Sequence, residues 1–307
     1  MRTQAFGLSL RFENELLPGT WAEGAGHDPE LKLRAVSHEA LNAAWSGTES
    51  IGWEAPIDGM PFRVERGVGA DYLFLHGDRS VCHLDAAGAT LLCGAGGDLA
   101  SWRVVLDSVL FSVALLRGLD ALHAGAVVGE GGAIAIAAAA GGGTSTLLST
   151  LIADGFELLS DDVVALAAKD GRVLAHPGPP LMTVPAAIAS LPGEELVALG
   201  EERWLATPVC PDARPLAAVV LLNRRAGLKT ALLRLEAPLF PLLGTMLRFP
   251  RNPERERQRF ELAATIATDV PVWELRAEPA VRPAELAELL AAPELQSGRV
   301  ATNLRRA

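Results

Sequence analysis

One segment, a glycine-rich stretch between two apolar runs, constrains the fold of this sequence more than any other. Residues 133–137 read Ala-Ile-Ala-Ile-Ala, residues 141–143 are three glycines, and residues 146–152 follow a helical apolar pattern. A strand, a glycine turn and a helix start form the setting in which backbone N–H groups bind phosphate. The sequence therefore predicts a phosphate-binding loop over residues 138–146.

This loop departs from the usual pattern at two positions. In G-x-x-x-x-G-K-[ST], Gly143 and Ser145 set the register, and Ala138 and Thr144 then stand where the first glycine and the lysine are expected. The loop lysine normally brings a full positive charge to the phosphates. No lysine lies close to the loop in sequence, since the three in the chain are Lys32, Lys169 and Lys229.

Composition excludes several classes of protein. The 307 residues suffice for a large core and two domains, and the net charge of −10 argues against a nucleic-acid partner, which requires a basic face. Cys82, Cys93 and Cys210 form no CxxC pair, which favours a reducing compartment and no zinc site. The N-terminus lacks a signal-peptide pattern, and no apolar run approaches the roughly 20 residues that span a bilayer. We therefore expect a cytoplasmic protein without a membrane partner.

The pattern of elements changes along the chain. Residues 1–104 show short alternating runs separated by turn residues, which predict a small β-rich N-terminal domain without a convincing chemical motif. Residues 99–119 have a helical period and lead into the second part. Residues 105–295 alternate strands with helices and predict an α/β domain. The tail, residues 296–307, is predicted to be frayed or disordered.

Within the second domain, individual elements are also predicted from periodicity and turn residues. Strands are expected at residues 126–128, 133–137, 157–160, 163–166, 217–222 and 271–275. Helices are expected at residues 145–153, 238–267 and 283–290, with a polar break at residues 249–254 in the second of them.

Four polar positions predict a chemical site around the loop. Asp161 and Asp162 follow the strand that comes after the loop helix, and His123 precedes the loop strand. Beside a phosphate loop, one carboxylate can hold Mg²⁺ and the other can accept a proton from an attacking hydroxyl. Ser145 occupies the position of a loop hydroxyl that binds the metal.

These motifs resemble the HPr serine kinase/phosphorylase family, in its C-terminal catalytic domain, and the related HPr-kinase-like proteins. The segments that carry the resemblance are His-Ala-Gly-Ala at 123–126, the loop at 138–146, and Gly-Phe-Glu-Leu-Leu-Ser-Asp-Asp at 155–162. The spacing between them matches the family throughout. The resemblance implies an α/β fold with an HPr-kinase-like P-loop domain, preceded here by the small β-rich domain. The second family signature, nearer the C-terminus, has no counterpart that we can place.

The resemblance also implies roles for individual residues. Asp161 matches the catalytic acid/base, Asp162 its neighbouring acid and a metal ligand, and His123 the histidine that assists the acid. Ser145 matches the Mg²⁺-binding hydroxyl. The positions expected to bind the nucleotide are Gly141, Gly142, Gly143, Thr144, Ser145 and Thr146.

Two functions remain open at this level. The first is an ATP-dependent Ser/Thr phosphotransferase acting on a peptide or small protein, weakened because Thr144 replaces the lysine. The second is a non-catalytic binding or scaffold protein for a peptide or protein partner. ATP and Mg²⁺ are the implied cofactors, held weakly or not at all, and a homo-oligomer is left open.

Each site residue also has a purely structural interpretation. The glycines can form a ligand-free turn, the Asp161–Asp162 pair a solvated strand end, and His123 a histidine bonded to backbone. Basic residues between Arg248 and Arg259 predict a solvated helix face paired with neighbouring acids, or a clamp for an acidic peptide or phosphate. The five arginines are Arg248, Arg251, Arg255, Arg257 and Arg259.

Overall fold

A computed structural model describes most of the chain as a mixed α/β structure with several sheets. The described residues are 2–13, 21, 29–57, 60–94, 99–186, 188, 194–199, 202–292 and 304–305. Two compact units divide the chain: Met1–Leu119 with Arg248–Glu256, and Asp120–Leu247 with Arg257–Ala307. No described helix combines the length and apolar character needed to cross a membrane.

The first unit contains an eight-stranded sheet. Its spatial order is β1-β2-β3-β8-β7-β6-β5-β4, and only the β2–β3 and β3–β8 pairs are parallel. The strands are β1 (Arg2–Ala5), β2 (Leu8–Phe12), β3 (Glu30–Ala35), β4 (Thr48–Ile57), β5 (Met60–Gly67), β6 (Tyr72–His76), β7 (Arg79–Leu84) and β8 (Thr90–Cys93). The alternating runs of the sequence therefore form strands as predicted.

Helical segments complete the first unit. They are α1 (His38–Ala44), α2 (Leu99–Val104), a π-helical turn (Val105–Val109) and α3 (Leu110–Leu116). The helix predicted at 99–119 is present, but it ends at Leu116 because Gly118 adopts a φ of 97°. The units separate between Leu119 and Asp120, so this helix lies in the first unit, whereas the sequence placed the boundary after residue 104.

The second unit is built on a ten-stranded sheet and a three-stranded sheet. The larger sheet runs β12-β10-β11-β18-β14-β13-β9, with β20, β19 and β21 continuing beside β18; the smaller runs β15-β17-β16. The strands are β9 (Asp120–His123), β10 (Gly125–Gly129), β11 (Gly132–Ala138), β12 (Glu157–Ser160), β13 (Val163–Lys169), β14 (Arg172–His176), β15 (Leu181–Pro185), β16 (Glu194–Leu199), β17 (Glu202–Ala206), β18 (Arg214–Arg224), β19 (Ala231–Arg234), β20 (Val272–Ala277) and β21 (Leu304–Arg305).

The described helices of this unit are α4 (Thr144–Ala153), α5 (Leu239–Thr245), α7 (Pro283–Leu290) and most of α6 (Pro253–Asp269), whose residues up to Glu256 belong to the first unit. The predicted break between α5 and α6 is present. The strands and helices predicted for this part of the chain are confirmed, with ends shifted by a few residues. Of the predicted tail, residues 296–303 and 306–307 lie outside the described residues, and β21 pairs with β19.

Strand β11 explains how the core positions the site. Its isoleucines, Ile134 and Ile136, join an apolar cluster that includes α4 and α7, while Ala133, Ala135 and Ala137 join a cluster that includes α5 and α6. Successive side chains of a strand point to opposite faces, and a strand covered on both faces is apolar throughout. The Ala-Ile alternation therefore defines a central strand with small residues on one face and large ones on the other.

Three strands of the larger sheet run parallel to one another. Strand β11 pairs with β18, and β18 pairs with β20, both in parallel register. Their carboxyl ends therefore meet at one edge of the sheet, the edge at which ligands bind in open α/β sheets. The glycine-rich turn follows β11 at this edge.

Candidate functional site

The glycine loop, residues 139–143, links β11 to α4 through backbone conformations that favour glycine. Gly141 has a φ of 72° and Gly143 a φ of 91°, in the left-handed region. A Cβ on Gly142 would lie 2.7 Å from both the Ala138 Cβ and the Ala139 carbonyl oxygen. Ala138 ends a strand, an extended conformation open to any residue, so the alanine there is compatible with the loop.

Helix α4 begins without a side-chain cap. Gly143 is the N-cap residue and has no side chain that accepts a hydrogen bond, and the first intrahelical bond runs from the Leu147 N–H to the Gly143 carbonyl at 3.0 Å. The first N–H groups of a helix have no partner within the helix and carry its positive dipole end. Apolar residues such as Leu148 and Leu151 anchor the buried side of the helix. The helix N-terminus is thus held in place, and its first backbone N–H groups can bind an anion.

A cleft of about 290 Å³ lies over this helix start, and we call it the loop cleft. Every residue predicted for the site lines it. The lining residues are His123, Ala124, Gly125, Ala138, Ala139, Ala140, Gly141, Gly142, Gly143, Thr144, Ser145, Thr146, Asp161, Asp162, Thr183, Pro185 and Glu202.

A tight turn between β12 and β13 presents the two aspartates. Asp162 adopts a φ of 60°, which is uncommon for a residue with a side chain. The fully buried Ser160 fixes the turn by donating its hydroxyl to the Val163 carbonyl at 2.5 Å. One carboxylate oxygen of Asp161, Oδ2, accepts the Thr183 N–H at 2.9 Å. This contact orients Asp161, which lines the loop cleft, whereas the side chain of Asp162 is 71% exposed.

His123 lies beside Asp162. Its Nδ1 is 3.2 Å from the Asp162 carbonyl oxygen and 3.5 Å from the Asp162 carboxylate Oδ1, and half of its side chain is exposed. Pairing of β9 with β13 places His123 opposite Val163 and so fixes this neighbourhood. The histidine is therefore positioned to interact with Asp162 of the acidic pair.

Three further residues of the loop cleft have no signal in the sequence. Thr183 and Pro185 lie on β15, and Glu202 begins β17 of the three-stranded sheet. They follow the aspartates by about 20 to 40 positions, and no motif marks them. Only the pairing of β15 with β17 brings Thr183 and Glu202 to the same side of the cleft.

Charge in the loop cleft is predominantly negative. Asp161, Asp162 and Glu202 line it, and none of the described lining residues is lysine or arginine. The described residues contain no group of three or more His, Cys, Asp and Glu side chains suited to a metal ion. Mg²⁺ usually keeps several waters and binds through one or two carboxylates together with phosphate oxygens. Ser145 and Asp162 offer to the loop cleft a hydroxyl and a carboxylate, which are oxygen ligands of the kind that Mg²⁺ takes together with phosphate.

The arginine stretch is not the single solvated face that the sequence suggested. Arg255 is 8% exposed and donates to the carbonyls of Gly118 and Leu119. Arg259 is 2% exposed, with its Nε 3.9 Å from the Asp120 carboxylate. Arg257 alone among the three matches the solvated interpretation, as an exposed partner of Glu261. Because Arg255 and Arg259 are buried, both predictions for the whole stretch are wrong at these two positions.

Comparisons with known proteins find similarity to solved structures but none to a family model or a curated sequence. The structure of the Hpr(Ser) kinase/phosphatase from Coxiella burnetii is similar over 55% of this chain and 93% of that chain, at 14% identity and a TM-score of 0.33. A likeness at this TM-score assigns no role to any residue.

Proposed function

We propose that the loop cleft binds the phosphates of ATP with Mg²⁺, and that the protein is an HPr-kinase-like Ser/Thr phosphotransferase acting on a peptide or small protein. One observation carries this proposal. The two glycines that match the family motif, Gly141 and Gly143, are the loop residues with a positive φ. They lead into a helix whose N-terminus has no side-chain cap. Asp161 and Asp162 line the same cleft. The glycines that the motif requires are therefore the ones that the loop conformation requires.

Each residue then has a defined task. The backbone N–H groups of residues 143–146 bind the phosphates, because alternating backbone conformations and a helix N-terminus concentrate donors there. Ser145 and Asp162 hold Mg²⁺, and His123 orients Asp162. Asp161, held by the Thr183 N–H, accepts the proton of the attacking hydroxyl. Bound ATP with Mg²⁺ supplies the phosphoryl group.

Thr144 weakens this site. Loss of an electrostatic partner of a transferring phosphoryl group lowers the rate by about 10²–10³. The amide donors and the metal-binding side chains do not depend on residue 144. Nucleotide binding is therefore expected to survive the substitution better than catalysis.

A binding or scaffold protein without catalysis is the second candidate. The observation that favours it is the charge of the loop cleft, in which the described lining includes three carboxylates and neither lysine nor arginine. Such a lining repels a free phosphate group unless a cation accompanies it. In this case a peptide or protein partner would bind without phosphoryl transfer.

The rate of ADP release from ATP with Mg²⁺ distinguishes the phosphotransferase from the scaffold protein. Wild type and Thr144→Lys are compared, because a lysine at this position restores the missing charge. We expect Thr144→Lys to raise nucleotide affinity and to increase turnover by about 10²-fold. If neither protein releases ADP above the rate in buffer in the presence of Ser/Thr peptides while both bind ATP, the phosphotransferase proposal is wrong and the scaffold candidate is favoured. If Thr144→Lys slows a brisk wild-type turnover, the site is built around threonine and our account of residue 144 is wrong.

A further inference from the structure

Arg224 lies at the same edge of the sheet as the glycine loop. It is the last residue of β18, which runs parallel to β11 and pairs Leu222 with Ala138. Arg224 comes two residues after Leu222 and therefore lies beside the loop that follows β11. This position is at the carboxyl ends of parallel strands, where ligands of open α/β sheets bind.

The guanidinium of Arg224 is directed at the start of α4. A Cβ added to Gly143 would lie 3.1 Å from Nη1 of Arg224, so this nitrogen packs directly against the N-cap residue of the helix. A residue larger than glycine at position 143 would displace the guanidinium. Gly143 is therefore required both by its positive φ and by this close approach.

Two backbone carbonyls hold the guanidinium in this orientation. Nη2 donates to the Pro279 carbonyl at 2.6 Å and to the Val281 carbonyl at 2.8 Å, in the segment between β20 and α7. Among the described residues, the buried Nε has no hydrogen-bond partner, and no hydrogen bond is formed by Nη1. The charge is thus held against Gly143, and no ion pair joins it to a carboxylate within the part of the chain that the structure describes.

We propose that Arg224 supplies, from the neighbouring strand, the positive charge that Thr144 does not provide, and so positions a polyphosphate in the loop cleft. This inference rests on the proposed function. Arg224 is not among the residues that line the cleft, so it acts across the loop backbone at Gly143 and adds to the positive helix end. A guanidinium stays charged at every physiological pH, and a partly buried charge is screened less by salt than an exposed one.

Substitutions at position 224 separate charge from structure. Arg224→Gln keeps amide donors that can reach the Pro279 and Val281 carbonyls but removes the charge, whereas Arg224→Lys keeps the charge and loses the fork geometry. The matched control is Arg225→Gln, which removes the same charge from the next, exposed residue. Calorimetric titration with tripolyphosphate and with inorganic phosphate at low salt provides the readout, and urea unfolding checks that each variant is folded.

We expect Arg224→Gln to weaken tripolyphosphate binding about tenfold, a change of about 1.4 kcal/mol. Arg224→Lys should restore most of the affinity, and Arg225→Gln should stay within about twofold of wild type because an exposed charge is screened. The loss should be larger for tripolyphosphate than for inorganic phosphate. Arg224→Gln should cost less affinity when Thr144→Lys is also present than in the wild-type background, because the loop lysine then supplies the charge.

Failures of the two proposals are distinguishable. If wild type binds tripolyphosphate but Arg224→Gln binds it equally well, or Arg225→Gln loses as much, the role of Arg224 is wrong and the proposed function stands. If Arg224→Lys loses as much as Arg224→Gln, the contribution is structural and the inference is overturned. If wild type binds no phosphate up to millimolar concentration, the proposed function fails and the role of Arg224 fails with it.

Discussion

Aspartate, histidine and serine meet in both units of the chain, but the two groups differ in exposure. In the first unit, His83 Nε2 lies 2.7 Å from Asp71 Oδ2, and the Ser46 hydroxyl donates to Asp71 Oδ1 at 2.5 Å. The side chains of His83 and Asp71 are both 7% exposed. In the loop cleft, His123 and Asp162 are 50% and 71% exposed. We call Ser46, Asp71 and His83 the closed group, and the residues His123, Ser145, Asp161 and Asp162 of the loop cleft the open group.

The difference shows that residue type does not decide whether a polar group is structural or available to a ligand. In the closed group, both carboxylate oxygens of Asp71 have side-chain partners. Burial opposes the charge of Asp71, but hydrogen bonds from Ser46 and His83 outweigh it and hold the pKa of this carboxyl below its ordinary value. In the open group, the turn at Asp162 directs a carboxylate toward solvent and the loop cleft.

The largest effect is expected from Asp161→Asn. If Asp161 is the base of the open group, its loss lowers ADP release or peptide phosphorylation by about 10²–10⁴-fold. The variant is best measured in the Thr144→Lys background, where we expect the highest turnover. The control is Asp154→Asn, an exposed acid at the end of α4. Equal turnover in Asp161→Asn and in the control would remove Asp161 from the mechanism.

The next expected effect is on the free energy of unfolding, which should respond differently to substitutions in the closed group and in the open group. Asp71→Asn should lower the free energy of unfolding by about 2–3 kcal/mol, because it weakens two hydrogen bonds to a buried charge. Asp162→Asn in the open group should change the free energy by less than about 0.5 kcal/mol. Urea unfolding at neutral pH measures both. A larger loss for Asp162→Asn than for Asp71→Asn would reverse the comparison.

The closed group also predicts a pH dependence with a defined sign. Because the folded pKa of Asp71 is lowered, the unfolded chain binds this proton more readily, and the contribution of Asp71 to stability is complete above the ordinary aspartate pKa of about 4. It is lost as the pH falls through the folded pKa. The difference in unfolding free energy between wild type and Asp71→Asn should therefore shrink as the pH falls below about 4. A difference that grows at acid pH would contradict the assignment.

A smaller effect is expected in the glycine loop. Gly142→Ala brings a Cβ to 2.7 Å from the Ala138 Cβ and the Ala139 carbonyl oxygen, which should cost about 1–3 kcal/mol of stability and weaken phosphate binding. Gly244→Ala in α5 is the control, since its added Cβ meets no atom within 4 Å and alanine favours a helix. The control should be neutral or slightly stabilising. A neutral Gly142→Ala would show that the loop relaxes readily.

Local features of the second unit could be predicted from the sequence because each depends on neighbouring residues. The Ala-Ile alternation of β11, the glycines of the loop and the apolar period of α4 are all signals within about 20 positions. His123, Asp161 and Asp162 were assigned to the same site from their spacing and the family resemblance, and they line the loop cleft together with the loop.

Long-range pairing explains what the sequence could not predict. Glu202 and Arg224 reach the surroundings of the loop only through the pairing of β15 with β17 and of β11 with β18. The closed group joins residues 46, 71 and 83, which come from separate segments of a region without a recognisable motif. The arginine stretch was misinterpreted because burial of Arg255 depends on the distant carbonyls of Gly118 and Leu119.

Calorimetric titration of the wild-type protein with ATP, with and without Mg²⁺, tests most directly whether the open group is a phosphate site. We expect a dissociation constant between roughly 10 μM and 1 mM that decreases when Mg²⁺ is present, because the loop keeps its backbone donors but lacks its lysine. No binding of ATP up to millimolar concentration, with or without Mg²⁺, would contradict it and leave the glycine loop a structural turn.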